Sequence, residues 1–91
     1  MVTKEERVRG VLEEMFETYK EKNAAYGDSF GKTVEEWGMC IAYARMDDKM
    51  NRLKSLYKAG KTESGDESVR DTLLDLANYA VMTLVELGVR S

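Results

Sequence analysis

No proline interrupts these 91 residues, and the residues that break helices collect in two places, Ala24 to Lys32 and Ala59 to Gly65. Between those points nothing fixes φ or removes a backbone donor, so the sequence predicts three helical segments. The first begins after Thr3 and repeats Val8, Val11, Leu12, Met15, Phe16 and Tyr19 at i, i+3, i+4, i+7, i+8 and i+11, an amphipathic pattern expected to run to about Asn23. The second starts at Thr33, where Thr33 and Glu36 form a capping-box pattern, and continues to about Tyr57 or Lys58. The third starts at Ser64 to Asp66, with Ser64 and Glu67 in the same pattern, and is expected to end with Gly88 at C′. Strand-like alternation, repeats and low-complexity tracts are missing. The expected fold is all-α, a single domain over residues 1–91, with the second and third segments paired as an antiparallel helical hairpin across a connection of about seven residues.

A chain this short buries only roughly 60–70% of its unfolded surface, so self-association into a homo-oligomeric helical bundle is expected to supplement its core. With 43% hydrophobic and 34% charged residues it reads as globular and not disordered. No apolar run approaches the length of a membrane span, and the charged start Met1 to Arg7 lacks the apolar region of a signal peptide. Cys40 stands alone, permits no internal disulfide and suits a reducing cytoplasm. A net charge of −3 argues against wrapping duplex nucleic acid. Without histidine, chemistry must rest on carboxylates, Lys, Tyr or Cys, and any metal would be a hard, oxygen-held cation such as Mg²⁺ or Mn²⁺, not zinc.

Glu67, Asp71 and Asp75 recur every four residues and therefore line one stripe of the third helix. Like charges so spaced repel, which a bound cation or facing basic groups would offset. That stripe passes Asn78 and turns into Val81, Met82 and Val85, while Val69, Leu73, Leu76, Ala80, Leu84 and Leu87 form a second stripe read as core. The second helix carries a mirror pattern: Trp37, Ile41 and Ala44 share a meridian that continues as Arg45, Asp48, Arg52 and Ser55. In an antiparallel hairpin Arg52 falls near Leu73, Asp48 near Ala77 and Arg45 near Ala80, so polar registers with polar and apolar with apolar. Three readings stay open: a solvated acidic face, interhelical salt bridges from Arg45, Lys49 and Arg52, or a cation and phosphate site that uses both signs of charge.

The first break, Lys22-Asn23-Ala24-Ala25-Tyr26-Gly27-Asp28-Ser29-Phe30-Gly31, follows a helix with two glycines, two rings and small polar groups. It could present backbone N–H groups and a stacking ring to a nucleotide, or merely turn the chain while Tyr26 and Phe30 cap the core. Gly31-Lys32-Thr33 lacks the upstream glycine of a Walker loop.

Together, Lys22-Asn23-x-x-Tyr26-Gly27-x-Ser29-Phe30, Arg45-x-x-Asp48-Lys49-x-x-Arg52 and Glu67-x-x-x-Asp71-x-x-x-Asp75-x-x-Asn78-Tyr79 resemble the nucleotide-modification-associated domain of phages and bacteria. That family in turn is similar to the MazG-like all-α nucleoside triphosphate pyrophosphohydrolases. The resemblance spans about residues 15 to 87 and implies an all-helical bundle, assembly as a dimer or tetramer, and work on (deoxy)nucleotides in nucleotide-pool or modified-base metabolism. In the pyrophosphohydrolases, paired acids on facing helices hold Mg²⁺. Here the resemblance assigns metal ligation to Asp71 and Asp75, with Asp48 opposite and Thr72 where a further acid would stand; the first acidic pair has no full counterpart.

The resulting expectation is a Mg²⁺-dependent cleavage of the α–β phosphoanhydride bond, with Glu67 and Asp71 as catalytic carboxylates and Asp48, Asp71 and Asp75 as metal ligands. Lys22, Asn23, Tyr26, Arg45, Lys49, Arg52 and Asn78 would hold the nucleotide. The rivals are a non-catalytic nucleotide sensor or accessory subunit and a ligand-free oligomerisation module whose ionic seam sets register.

Overall fold

The computed structural model describes residues 1–61 and 67–90, which form four helices and no strand: α1 (Lys4–Tyr26), α2 (Ser29–Trp37), α3 (Cys40–Lys58) and α4 (Glu67–Arg90). Thr3 caps α1 by accepting from the Glu6 amide at 3.1 Å, with Glu5 and Glu6 in the first turn where the helix dipole favours acids. Gly27, at φ 65°, ends it. Asp28 then turns the chain straight into α2, its carboxylate accepting from the Gly31 amide at 3.2 Å. A Cβ at Gly31 would collide with that carboxylate, so this glycine is required for the close approach of cap and helix.

Two expectations about the helices need correction. The segment read as one helix from Thr33 is two: it starts earlier, at Ser29, and breaks at Gly38, whose φ of 92° and ψ of 174° lie in a region that glycine alone adopts readily. The cap is Asp28, not Thr33, whose hydroxyl instead donates to the Ser29 carbonyl at 2.8 Å. At the other end α4 does not stop at Gly88 but runs on to Arg90, because Gly88 keeps a negative φ. Ser64, the expected cap of this helix, lies outside the described residues. The end of α3 matches the expected break: Gly60 (φ 80°) donates to the Tyr57 carbonyl and Lys61 to that of Leu56, a Schellman closure.

Helices α3 and α4 make the principal packing interface, and α2 folds back onto α3. Their pairing is antiparallel: Arg52 meets Thr72 and, three residues back, Lys49 meets Asp75, three residues on. This register lies within one residue of that expected from the sequence. Helix α1 is attached to α4 chiefly by side chains, a bidentate Arg70–Glu14 pair at 2.6 and 2.5 Å and a Lys22–Asp75 pair at 3.0 Å.

The packed centre is small. Met15 of α1, Val34 of α2 and Ala42 of α3 are its buried apolar residues, joined by Thr72 and Thr83 of α4, whose hydroxyls donate to the carbonyls of Ser68 and Tyr79 at 2.6 Å. The stripe of α4 read as core faces largely outward: Leu73, Ala80, Leu84 and Leu87 are exposed. Val8, Val11, Leu12 and Phe16 of α1 are exposed as well. The accessible surface is 6982 Å², against roughly 5,400 Å² for a compact chain of this mass, and the radius of gyration is 14.7 Å against roughly 12 Å. Among the described residues no helix is long and apolar enough to cross a membrane.

Candidate functional site

Three helices meet at Asp75. Lys22, in the last turns of α1, holds Oδ1 at 3.0 Å, and Lys49, midway along α3, holds Oδ2 at 3.1 Å. The carboxylate thus has one ammonium group per oxygen, each from a different helix. Asp75 and Lys49 are mostly covered, with 24% and 27% of their side chains exposed, whereas Lys22 stands 59% exposed. Burial pushes the Asp75 carboxyl up, but the hydrogen bonds and charges of Lys22 and Lys49 outweigh it and hold the group below the usual carboxylate range.

This triad sits in the wall of a cleft of about 670 Å³ formed by all four helices. From α1 come Tyr19, Lys22, Asn23 and Tyr26; Gly27 and Asp28 form the rim; α2 adds Ser29, Phe30 and Thr33. Helix α3 contributes Ile41, Arg45 and Lys49, and α4 contributes Asp75, Asn78 and Tyr79. The Phe30 and Tyr79 rings pack with centroids 5.6 Å apart at 44°, and Asn23 and Asn78 line the same cleft. The lining also includes the apolar side chains of Leu12 and Phe16 from α1 and of Val81, Met82 and Val85 from α4. The site therefore combines cations, hydrogen-bonding amides and aromatic faces, the groups that a phosphate-bearing ring compound would engage.

Of the residues singled out from sequence, Lys22, Asn23, Tyr26, Arg45, Lys49, Asp75 and Asn78 come together here. Arg52 does not line the cleft: its Nε donates to Thr72 Oγ1 at 3.3 Å, tying α3 to α4. Asp48 and Asp71 are exposed and also outside the lining, and the Glu67 side chain lies outside the described residues. Among the described residues no three Asp, Glu, His or Cys gather as a cation site, and Asp75, the expected metal ligand that lines the cleft, is paired with two lysines. The donor set does not fit a resident cation held by three carboxylates. The sequence reading missed Phe30 and Tyr79 as lining residues, although both stand in its motifs, and Tyr19, whose place in the α1 stripe marked it as core.

Fold and site define a small all-helical domain with one cleft lined by cations, amides and aromatic rings. A sequence model of the family described as nucleotide modification associated domain 1 matches residues 22–87, from the first cleft lysine to Leu87 in α4. The chain belongs to that family. No curated protein and no solved structure matches it.

Proposed function

We propose that the chain binds a nucleotide in this cleft, with phosphate at Lys22 and Arg45 beside the Lys49–Asp75 pair and the base between Tyr26 and the Phe30–Tyr79 pair, its edge read by Asn23 and Asn78. The observation that carries the reading is the convergence, from four helices, of three cations, two amides and three rings on one cavity within a nucleotide-modification-associated domain. Arg45 lines the cleft with no ion pair or side-chain hydrogen bond among the described residues, which leaves its planar fork available for phosphate oxygens. Calorimetric titration with (deoxy)nucleotides tests it: Arg45→Gln should weaken binding about tenfold or more, and Asn78→Ala should alter the preference among bases. Absence of binding by the intact, folded chain across the panel refutes the reading.

A second reading, hydrolysis to nucleoside monophosphate and pyrophosphate, is supported by the resemblance to MazG-like enzymes and by Asp75, the expected metal ligand that does reach the cleft. Any Mg²⁺ or Mn²⁺ would then enter with the triphosphate as part of the substrate. Pyrophosphate release from deoxynucleoside triphosphates with Mg²⁺ tests it; binding without release leaves a nucleotide sensor or accessory subunit. We further propose that the chain works as a homodimer or tetramer, since the leucines of α4 and the apolar face of α1 stand uncovered.

A further inference from the structure

The pairing of Asp75 with two lysines bears on what the cleft admits. Lys22 and Lys49 hold this carboxylate, and Arg45, one turn before Lys49 on α3, lines the same cleft. Two other acids, Asp28 and Glu86, line the cleft. Glu86 lies eleven residues further along α4, roughly 16 Å away and beyond the screening length of physiological salt, and the Asp28 carboxylate caps α2. A carboxylate that offers each of its oxygens to an ammonium group presents the same pattern of acceptors as two oxygens of a phosphate. An incoming phosphate must therefore compete with Asp75 for cations already in place.

The lysines are not equivalent in that competition. Lys49 is mostly covered at the α3–α4 interface, whereas Lys22 is largely exposed near the end of α1, with a flexible four-carbon stem to move its head. Breaking the Lys22–Asp75 pair costs little because water already reaches it.

We propose that Asp75 is an internal counterion of the cleft: a ligand's phosphate takes over the Lys22 ammonium while Lys49 stays with Asp75, so the cleft selects ligands ending in a phosphate dianion. With Lys49 left on Asp75, Lys22 and Arg45 are the cations of the lining that meet the phosphate, which carries roughly two negative charges as a monoester. The ligand class is thus a nucleoside monophosphate or a nucleotide presenting a terminal phosphate, bound without a metal. This rests on the nucleotide reading above and adds to it a role for Asp75 opposite to that of a phosphate-positioning or metal-binding acid.

The test is calorimetric titration in EDTA of the full chain with the four deoxynucleoside monophosphates and their nucleosides, for wild type, Asp75→Asn and Lys22→Gln. Removing the competing charge should tighten monophosphate binding by Asp75→Asn about tenfold, with nucleoside affinity unchanged. Lys22→Gln, at an exposed position that folding tolerates, should weaken monophosphate binding about tenfold and again leave the nucleoside alone. Monophosphate affinity that is equal or lower in Asp75→Asn, or unchanged in Lys22→Gln, overturns the counterion role while nucleotide binding stands. Should neither wild type nor any folded variant bind nucleotide or nucleoside, both readings fall together.

Discussion

Leu84 offers the sharpest test of how this domain completes its core. It stands 68% exposed on a stripe with Leu73, Ala80 and Leu87, a spacing close to the heptad seam by which helices pair. The chain as a whole carries about 1,600 Å² more accessible surface than a compact monomer of its mass, about twice the roughly 800 Å² that one partner contributes to a standard protein–protein interface. Burying a whole leucine contributes roughly 1.5–3 kcal/mol, so covering the exposed two-thirds of Leu84 contributes about 1.5 kcal/mol per copy. A two-fold interface counts the residue twice, about 3 kcal/mol, before any penalty for burying a charge in its place. Leu84→Glu should therefore raise the dissociation constant at least about 100-fold. Sedimentation velocity from low to high micromolar concentration, with circular dichroism to confirm helicity, reads the effect. Because Leu84 does not line the cleft, nucleotide binding by a folded monomer can be followed in the same variant. A wild type that sediments as a monomer throughout, or a Leu84→Glu variant that associates like wild type, refutes the argument.

Two further predictions concern the backbone and the ion pairs. Gly10, inside α1, and Gly38, between α2 and α3, both have open space where a Cβ would go, so only backbone conformation separates them. Gly10→Ala should stabilise by about 0.5–1 kcal/mol, whereas Gly38→Ala should destabilise by about 1–3 kcal/mol, lowering Tm by roughly 4 °C or more; equal shifts of one sign in thermal melts would mean that glycine does not hold the helix break. The Asp75 carboxyl is raised by burial but lowered more by its lysines, and that of Glu14 is lowered first by its hydrogen bonds to Arg70. Both pKa values fall on folding, so the unfolded chain binds more protons: their stabilisation is fully present above the ordinary carboxylate range, about pH 4, and is lost as pH drops through the lower folded values. Urea midpoints should be flat from neutrality to about pH 5 and decline below it, with a shallower decline in Asp75→Asn; an equally steep decline there would remove Asp75 from the account.

Much of this architecture was legible because it depends on short-range regularities. Apolar residues at helical spacing marked α1 and α4, the turn residues near Ala59 marked the end of α3, and a short connection set the α3–α4 register to within a residue, as the Arg52–Thr72 and Lys49–Asp75 contacts report. The break at Gly38 was not legible, since a lone glycine is tolerated inside a helix at about 1 kcal/mol and its φ of 92° leaves no mark in the residues around it. Seven of the residues expected at the site share the cleft because they lie where α1, α3 and α4 converge. Asp48 and Asp71 shared a helix face with the cleft residues in projection, but a helix face is wider than the opening it borders.

The sequence by itself determined that this chain is helical, where α1 begins and α3 ends, and, by its lack of histidine, that any chemistry must lean on carboxylates, Lys, Tyr or Cys, because capping, periodicity and composition act over a few residues at a time. It also carried the motifs of a nucleotide-modification-associated domain, to which the chain belongs. Only the tertiary structure decided which groups meet. Lys22 reaches Asp75 across 53 residues of chain, and two lysines from different helices neutralise one acid of a stripe whose exposed neighbour Asp71 does not reach the cleft. Periodicity places side chains on a common face; which neighbour covers that face is decided by how helices cross, and here the crossing leaves the leucine stripe of α4 uncovered and turns Asp75 inward.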